Sequence, residues 1–218
     1  MFEREYRDLA HVPRWTIARV IRRQSVAEHS YFVALYAMQI ADLIDRPVDM
    51  MGHLLWYALT HDLEECFTGD IPGTTKRSMT DNQGVRHVMW IQNQLRERFG
   101  PGIVPTPSEP EQKIVKVANL LDEVMYLAGE QQLGNLSVNA LLDNSMDRLE
   151  QAWFNLPARK DVLDAGFTKV MFAIQEERYG QSEVVKNNDD LSLRARVHPM
   201  ANEVSTVRGT ETSANSGD

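Results

Sequence analysis

Between residues 109 and 132 the apolar side chains fall at Ile114, Val117, Ala118, Leu121, Val124 and Met125. Spacing of three and four lines one face of an α-helix, whereas one face of a strand needs a repeat of two. A long amphipathic helix is therefore expected at Glu109–Gln132, and its apolar face must be covered by other elements. Those elements have the same period. Ser25–Ile44 carries Val26, Val33, Ala37, Ile40 and Ala41 at helical spacing, with Pro47 just beyond. It opens on Ser25, followed three residues later by Glu28, the signature of a capping box. Stretches at about 49–67, 80–99, 136–154 and 158–178 also read as helices.

Two segments break the period. "TGDIPGTTK" contains Gly69, Pro72 and Gly73, and "FGPGIVPTPSEP" places four prolines between 101 and 110; both read as loops. No alternating pattern of useful length and no internal repeat is present. The expected fold class is all-α, with residues 1–179 forming a single helical bundle. From Gly180 the composition shifts to Asn, Asp, Ser, Thr and Gly. Residues 180–218 are read as a polar extension, partly disordered or packed on the domain or on a neighbouring subunit.

Charge and composition exclude several classes of function. Against 23 Lys and Arg stand 31 Asp and Glu, a net charge of -8, which does not suit a duplex-binding protein. An anionic substrate would need a local cluster of cations. Cys66 is the single cysteine, so no disulfide can form within the chain, and a cytoplasmic setting fits. No run of about 18 apolar residues suggests a membrane span.

The stretch "THDLEECFTGD" at 60–70 crowds acidic side chains around a histidine. Such carboxylates repel one another unless a cation sits among them. His29 lies in the first turns of one expected helix, and His61 and Asp62 lie in the next. Asn119 and Asp122 share one face of the long helix, three residues apart. Imidazole and carboxylate drawn from three helices can enclose one divalent transition ion, and this donor set disfavours calcium. Such an ion would lower the pKa of a bound water toward neutrality. Glu65, one turn from His61, and Asp70 could then move protons to or from reacting oxygens. Each feature also has an ordinary explanation. A histidine in a helix commonly serves packing, Glu28 completes its cap, and Glu64 reads as solvated. His11, His53, His87 and His198 show no pattern of partners.

The joint pattern carries more than its parts. "RW" at 14–15, "SVAEHS" at 25–30, "HDLEECFTGDIP" at 61–72, Lys76 and "VKVANLLDEV" at 115–124 together resemble the HD-domain phosphohydrolases over roughly residues 10–130. The branch containing bacterial 5′-deoxynucleotidases is the most similar. The resemblance implies an HD-domain helical bundle, assembled as a homo-oligomer (dimer or hexamer). It implies a divalent transition metal, Zn, Co or Mn, with Mg as a candidate second ion. His29, His61 and Asp62 would be ligands, Glu65 and Asp70 would serve the water and the ester, and Arg14 and Lys76 would touch phosphate. Lys116, one turn before Asn119, would face the same cleft. The family usually has Ala-Asp where this chain has Ala118-Asn119. Either Asn119 or Asp122 completes the site, or the metal is lost and a nucleotide sensor remains.

"RWTI" at 14–17 narrows the resemblance to phage dATP triphosphohydrolases, and the substrate implied is a small deoxyribonucleotide, met in the host cytoplasm if the chain is phage-encoded. Trp15 would stack on a base or pack against a sugar. Ile17 would lie against C2 of adenine, where a 2-amino group would clash. A buried amino group left unpaired costs about 1–3 kcal/mol. Core packing explains Ile17 equally well from the sequence alone, and is the alternative for Trp15. The implied reaction converts dATP to deoxyadenosine and triphosphate, with dADP and dAMP as further substrates. A 5′-deoxynucleotidase acting on monophosphates is the alternative.

Overall fold

The computed structural model describes residues 5–47, 50–72 and 104–180, together with Thr75, Trp90, Gln94 and Glu97. Along these residues run α1 (Glu5–Asp8), a 3₁₀ turn (Leu9–His11), α2 (Val26–Leu43), α3 (Met51–Thr60) and α4 (Glu65–Thr68). Then follow α5 (Glu109–Gln132), a second 3₁₀ turn (Leu136–Val138), α6 (Asn139–Trp153) and α7 (Lys160–Tyr179). No strand occurs among the described residues, and the one β-bridge joins Pro13 to Ser25. It closes the base of the 14–24 loop, helped by Arg14 N–H donating to Gln24 O at 2.8 Å and Val26 N–H to Val12 O at 3.0 Å.

Helix α5 is the axis of the bundle. It packs on α2, α3, α6 and α7. Ile114, Val117, Ala118, Leu120, Leu121, Val124 and Leu127 are buried along it. Burying a side chain of this size contributes about 1.5–3 kcal/mol. Its start is fixed by a second capping box: Ser108 Oγ accepts from Glu111 N–H, and the Glu111 carboxylate accepts from Ser108 N–H at 2.7 Å. Pro110 in the first turn loses no helical hydrogen bond there. Gly134, at φ 89°, lets the chain leave just past the end of the helix. The capping box expected on α2 is present, with Glu28 accepting from Ser25 N–H at 2.7 Å.

The helix expected at about 49–67 is two helices. After Thr60 the bonds tighten from four residues to three: Leu63 N–H donates to Thr60 O, Glu65 to Asp62 O and Cys66 to Leu63 O. Thr60 Oγ1 donates to Trp56 O at 2.7 Å and His61 Nδ1 to Ala58 O at 2.7 Å, so side chains compete for the last carbonyls. The stretch His61–Glu64 is therefore a turn, and the "HD" pair stands where the chain changes direction. The expected helix at 80–99 lies outside the described residues except Trp90, Gln94 and Glu97, which are helical. The extension lies outside them beyond Gly180.

At the far side α6 and α7 close tightly. Trp153 Nε1 donates to Leu163 O at 2.9 Å. A Cβ on Gly166 would strike Leu43 and stand 2.7 Å from Trp153 Cζ2, so any side chain there requires both to shift. No helix of the described residues is long and apolar enough to cross a membrane.

Candidate metal centre

His29 is delivered by the inward face of α2, between Val26 and Val33, and is fully buried. His61 caps α3, and Asp62 follows in the turn. One ligand atom from each of the three lies within 4.8 Å of the other two. Nε2 of His61 is 3.3 Å, and Nε2 of His29 3.6 Å, from Asp62 Oδ2. The rings tilt by 54° with centroids 5.4 Å apart.

These distances can be tested against a metal. Zinc bonds of about 2.0–2.1 Å in tetrahedral geometry put neighbouring donor atoms roughly 3.4 Å apart. The tautomers also fit. His61 Nδ1 points at the Ala58 carbonyl, which only accepts, so that nitrogen carries the proton. His29 Nδ1 has Asp122 Oδ2 at 2.5 Å and Arg14 Nη1 at 2.6 Å; with the carboxylate as its partner it too is the donor, and the guanidinium, which cannot accept, then turns its N–H groups to Gln24 and Asp122. Both Nε2 atoms then keep their lone pairs on the side shared with Asp62.

Asn119 and Asp122 occupy different places. The Asn119 side-chain nitrogen is 3.4 Å from His61 Nε2, on the side of the three candidate ligands. An amide flip exchanges its nitrogen and oxygen, so the carbonyl oxygen can take that position. Asp122 stands behind His29, on the Nδ1 side of the ring. Its Oδ2 also accepts from Gln24 Nε2 at 3.0 Å and from Arg14 Nη1 at 3.3 Å. Burial pushes this carboxyl up to about 6, against the pull of Arg14 and Gln24.

Arg14 is turned inward. Its Nη1 donates to Gln24 Oε1 at 2.9 Å and approaches His29 Nδ1 to 2.6 Å. Trp15 stacks on Tyr126 at 5.0 Å and 7°, with Nε1 3.3 Å from Gln24 Oε1. It holds φ 63°, a left-handed backbone unusual for so bulky a residue. Ile17 is 74% exposed in the same loop. Glu65 is buried at the start of α4, and Asp70 follows Gly69, whose φ is 70°. Lys116 is on the exposed side of α5, and Lys76 lies outside the described residues.

Several participants were not found from the sequence. Gln24 ties Arg14, Trp15 and Asp122 together, yet nothing in its local pattern marks it. Glu130 accepts from Ile21 N–H at 2.6 Å, Arg22 N–H at 2.7 Å and Asn135 Nδ2 at 2.7 Å. Tyr126 Oη donates to Arg22 O, so the loop is pinned along α5. His53 Nδ1 pairs with Glu111 Oε1 at 2.5 Å. The Ser-x-x-Glu spacing at 108–111 was the available signal for Glu111.

Two imidazoles and a carboxylate, one from α2 and an adjacent pair from the turn after α3, define an all-helical protein with a candidate metal site of the His, His-Asp type. The chain belongs to the HD domain family, which matches residues 6–169. It is 31% identical over 149 residues to a dATP triphosphohydrolase from Salmonella phage PMBT28, covering 65% of this chain and 73% of that protein. It is 30% identical over 138 residues to the 5′-deoxynucleotidase YfbR of Salmonella arizonae, covering 57% and 69%. Its fold is similar to that of the cyanophage S-2L HD phosphohydrolase, solved with dA and one catalytic Zn2+ ion. The TM-score is 0.65 at 18% identity, covering 81% of this chain and 98% of that one.

Proposed function

We propose that the chain is a metal-dependent phosphohydrolase of 2′-deoxyribonucleotides, and that its principal substrate is dATP, released as deoxyadenosine and triphosphate. The convergence of His29, His61 and Asp62 within 4.8 Å carries this reading. Similarity to the phage dATP triphosphohydrolase supports the choice of substrate.

His29, His61 and Asp62 would hold a divalent transition ion such as Zn, Co or Mn, with the Asn119 carbonyl oxygen as the fourth protein donor. When bound, such an ion polarises phosphoryl oxygen and acidifies water. Water attacks the α-phosphorus, a P–O bond forms, and the bond from phosphorus to O5′ breaks. Glu65 takes the proton from water, and Asp70 delivers one to O5′. Arg14, Lys76 and Lys116 offset charge on the phosphoryl oxygens. Trp15 and Ile17 border the nucleoside, and Ile17 disfavours a 2-amino purine. A homo-oligomer is the expected working form.

The test is product analysis across dNTPs, dNMPs and NTPs with Zn, Co or Mn. Inorganic triphosphate as first product from dATP is expected. Phosphate released from monophosphates alone favours the second reading, a 5′-deoxynucleotidase, which the similarity to YfbR supports. Ile17→Ala should gain activity on dGTP in the first case and change little in the second. A purified protein that neither binds metal nor turns over any nucleotide sinks both.

A further inference from the structure

We propose that Asp122 is a positioning residue for His29, placing behind the imidazole the negative charge that position 119 does not supply. The inference rests on the metal-site reading above. Its ground is an asymmetry between the two histidines. His61 directs Nδ1 at a neutral carbonyl, 2.7 Å away, whereas His29 directs Nδ1 at a carboxylate, 2.5 Å away, with Arg14 Nη1 2.6 Å from the same nitrogen. The side chain of Asp122 is only 4% exposed, so its charge is little screened by water.

Counting charge shows why this matters. Two neutral imidazoles, one carboxylate and one amide bring a single negative charge to a divalent cation. Asp122 adds a second through the ring, offset in part by the Arg14 guanidinium beside it, because a carboxylate behind an imidazole raises the basicity of the opposite nitrogen and fixes its direction. Gln24 Nε2 and Arg14 Nη1 hold the same oxygen at 3.0 and 3.3 Å, so the carboxylate is itself oriented. Asn119 and Asp122 are one turn apart on α5. The helix therefore presents its amide beside one histidine and its carboxylate behind the other.

The rival is a purely structural role, with Asp122 anchoring the 14–24 loop through Gln24 and Arg14. Zinc affinities of the full chain, measured by competition with a chromophoric chelator, separate the two. Asp122→Asn should weaken zinc binding about 10- to 100-fold, the size usual for outer-shell partners. Adding Asn119→Asp to it should restore most of the loss, since the charge returns at the inner position. Unchanged affinity in Asp122→Asn, or a loss the double variant does not recover, overturns the proposal. A measurement on unaltered protein guards against misfolding: in the zinc-loaded chain the His29 Nδ1 proton should resonate well downfield of that of His61. The opposite order overturns the proposal. Zinc binding by the unaltered chain, with either contrary result, defeats this inference alone. Failure of the unaltered chain to bind zinc defeats the metal-site reading and this inference with it.

Discussion

Asp122 and Glu130 stand two turns apart on the same helix, both buried, and their carboxyls are driven in opposite directions. Burial raises each. For Asp122 it prevails and carries the group to about 6, despite Arg14 and Gln24. For Glu130 it is outweighed by the Ile21 amide, Asn135 and the Arg22 amide, and the group ends below its ordinary value. The donors differ in kind. Glu130 receives two backbone N–H groups, which the loop cannot withdraw without opening. Asp122 is met by the side chains of Arg14, Gln24 and His29, which can readjust when a ligand or ion arrives. The Glu130 end of α5 holds the loop by its backbone, and the Asp122 end meets the loop's side chains beside the candidate metal ligands.

The largest expected effect falls on the chemical end. His61→Ala should lower turnover by roughly three orders of magnitude, because charge stabilisation by a bound metal is worth several kcal/mol. The thermal midpoint of the metal-free protein should hardly move. A steady-state assay beside a melting curve checks both, and a large drop in the midpoint would show that the two ends are not separable.

Next comes the anchoring end. Glu130→Ala leaves the Ile21 and Arg22 N–H groups without their acceptor, at a cost of about 2–3 kcal/mol. For a domain of this size that lowers the melting midpoint by roughly 4–12 °C. Zinc affinity should stay near that of the unaltered chain. If it falls as far as in Asp122→Asn, the two ends of α5 do not differ in their part at the metal site.

The smallest effect is in the acid limb. The folded pKa of Glu130 lies below its ordinary 4.5. Its stabilising contribution is thus complete above that ordinary value and is lost as pH falls through the folded one. Glu130→Gln should be less stable at neutral pH and lose less on acidification. Melting midpoints at pH 7, 5 and 4 for both proteins test this, and parallel curves would remove Glu130 from the acid response.

The helices could be read from the sequence wherever one local rule decided the outcome. Periodicity and the Ser108 cap fix α5, and Ser25 with Glu28 fixes the start of α2. The break after Thr60 was missed because the apolar period runs on to Leu63, while the cause is side chains bonding to carbonyls of the preceding turn. Helical spacing put Asn119 and Asp122 on one face. Which of them meets which histidine depends on where α2 lies across α5, a matter of packing between segments far apart in the chain. Glu130 was invisible for the same reason: its partners are amides of a loop more than a hundred residues away.

Asn119, Asp122, Tyr126 and Glu130 are all indexed to one continuous helix, so their relative angles are set by its winding. Each residue advances the helix by about 100°. An insertion or deletion of one residue anywhere between 119 and 130 would therefore swing the upstream members out of phase with the downstream ones. The site would be dismantled without any of its own side chains being altered. Natural length variation in proteins built this way should accordingly accumulate in connecting segments and spare this rod.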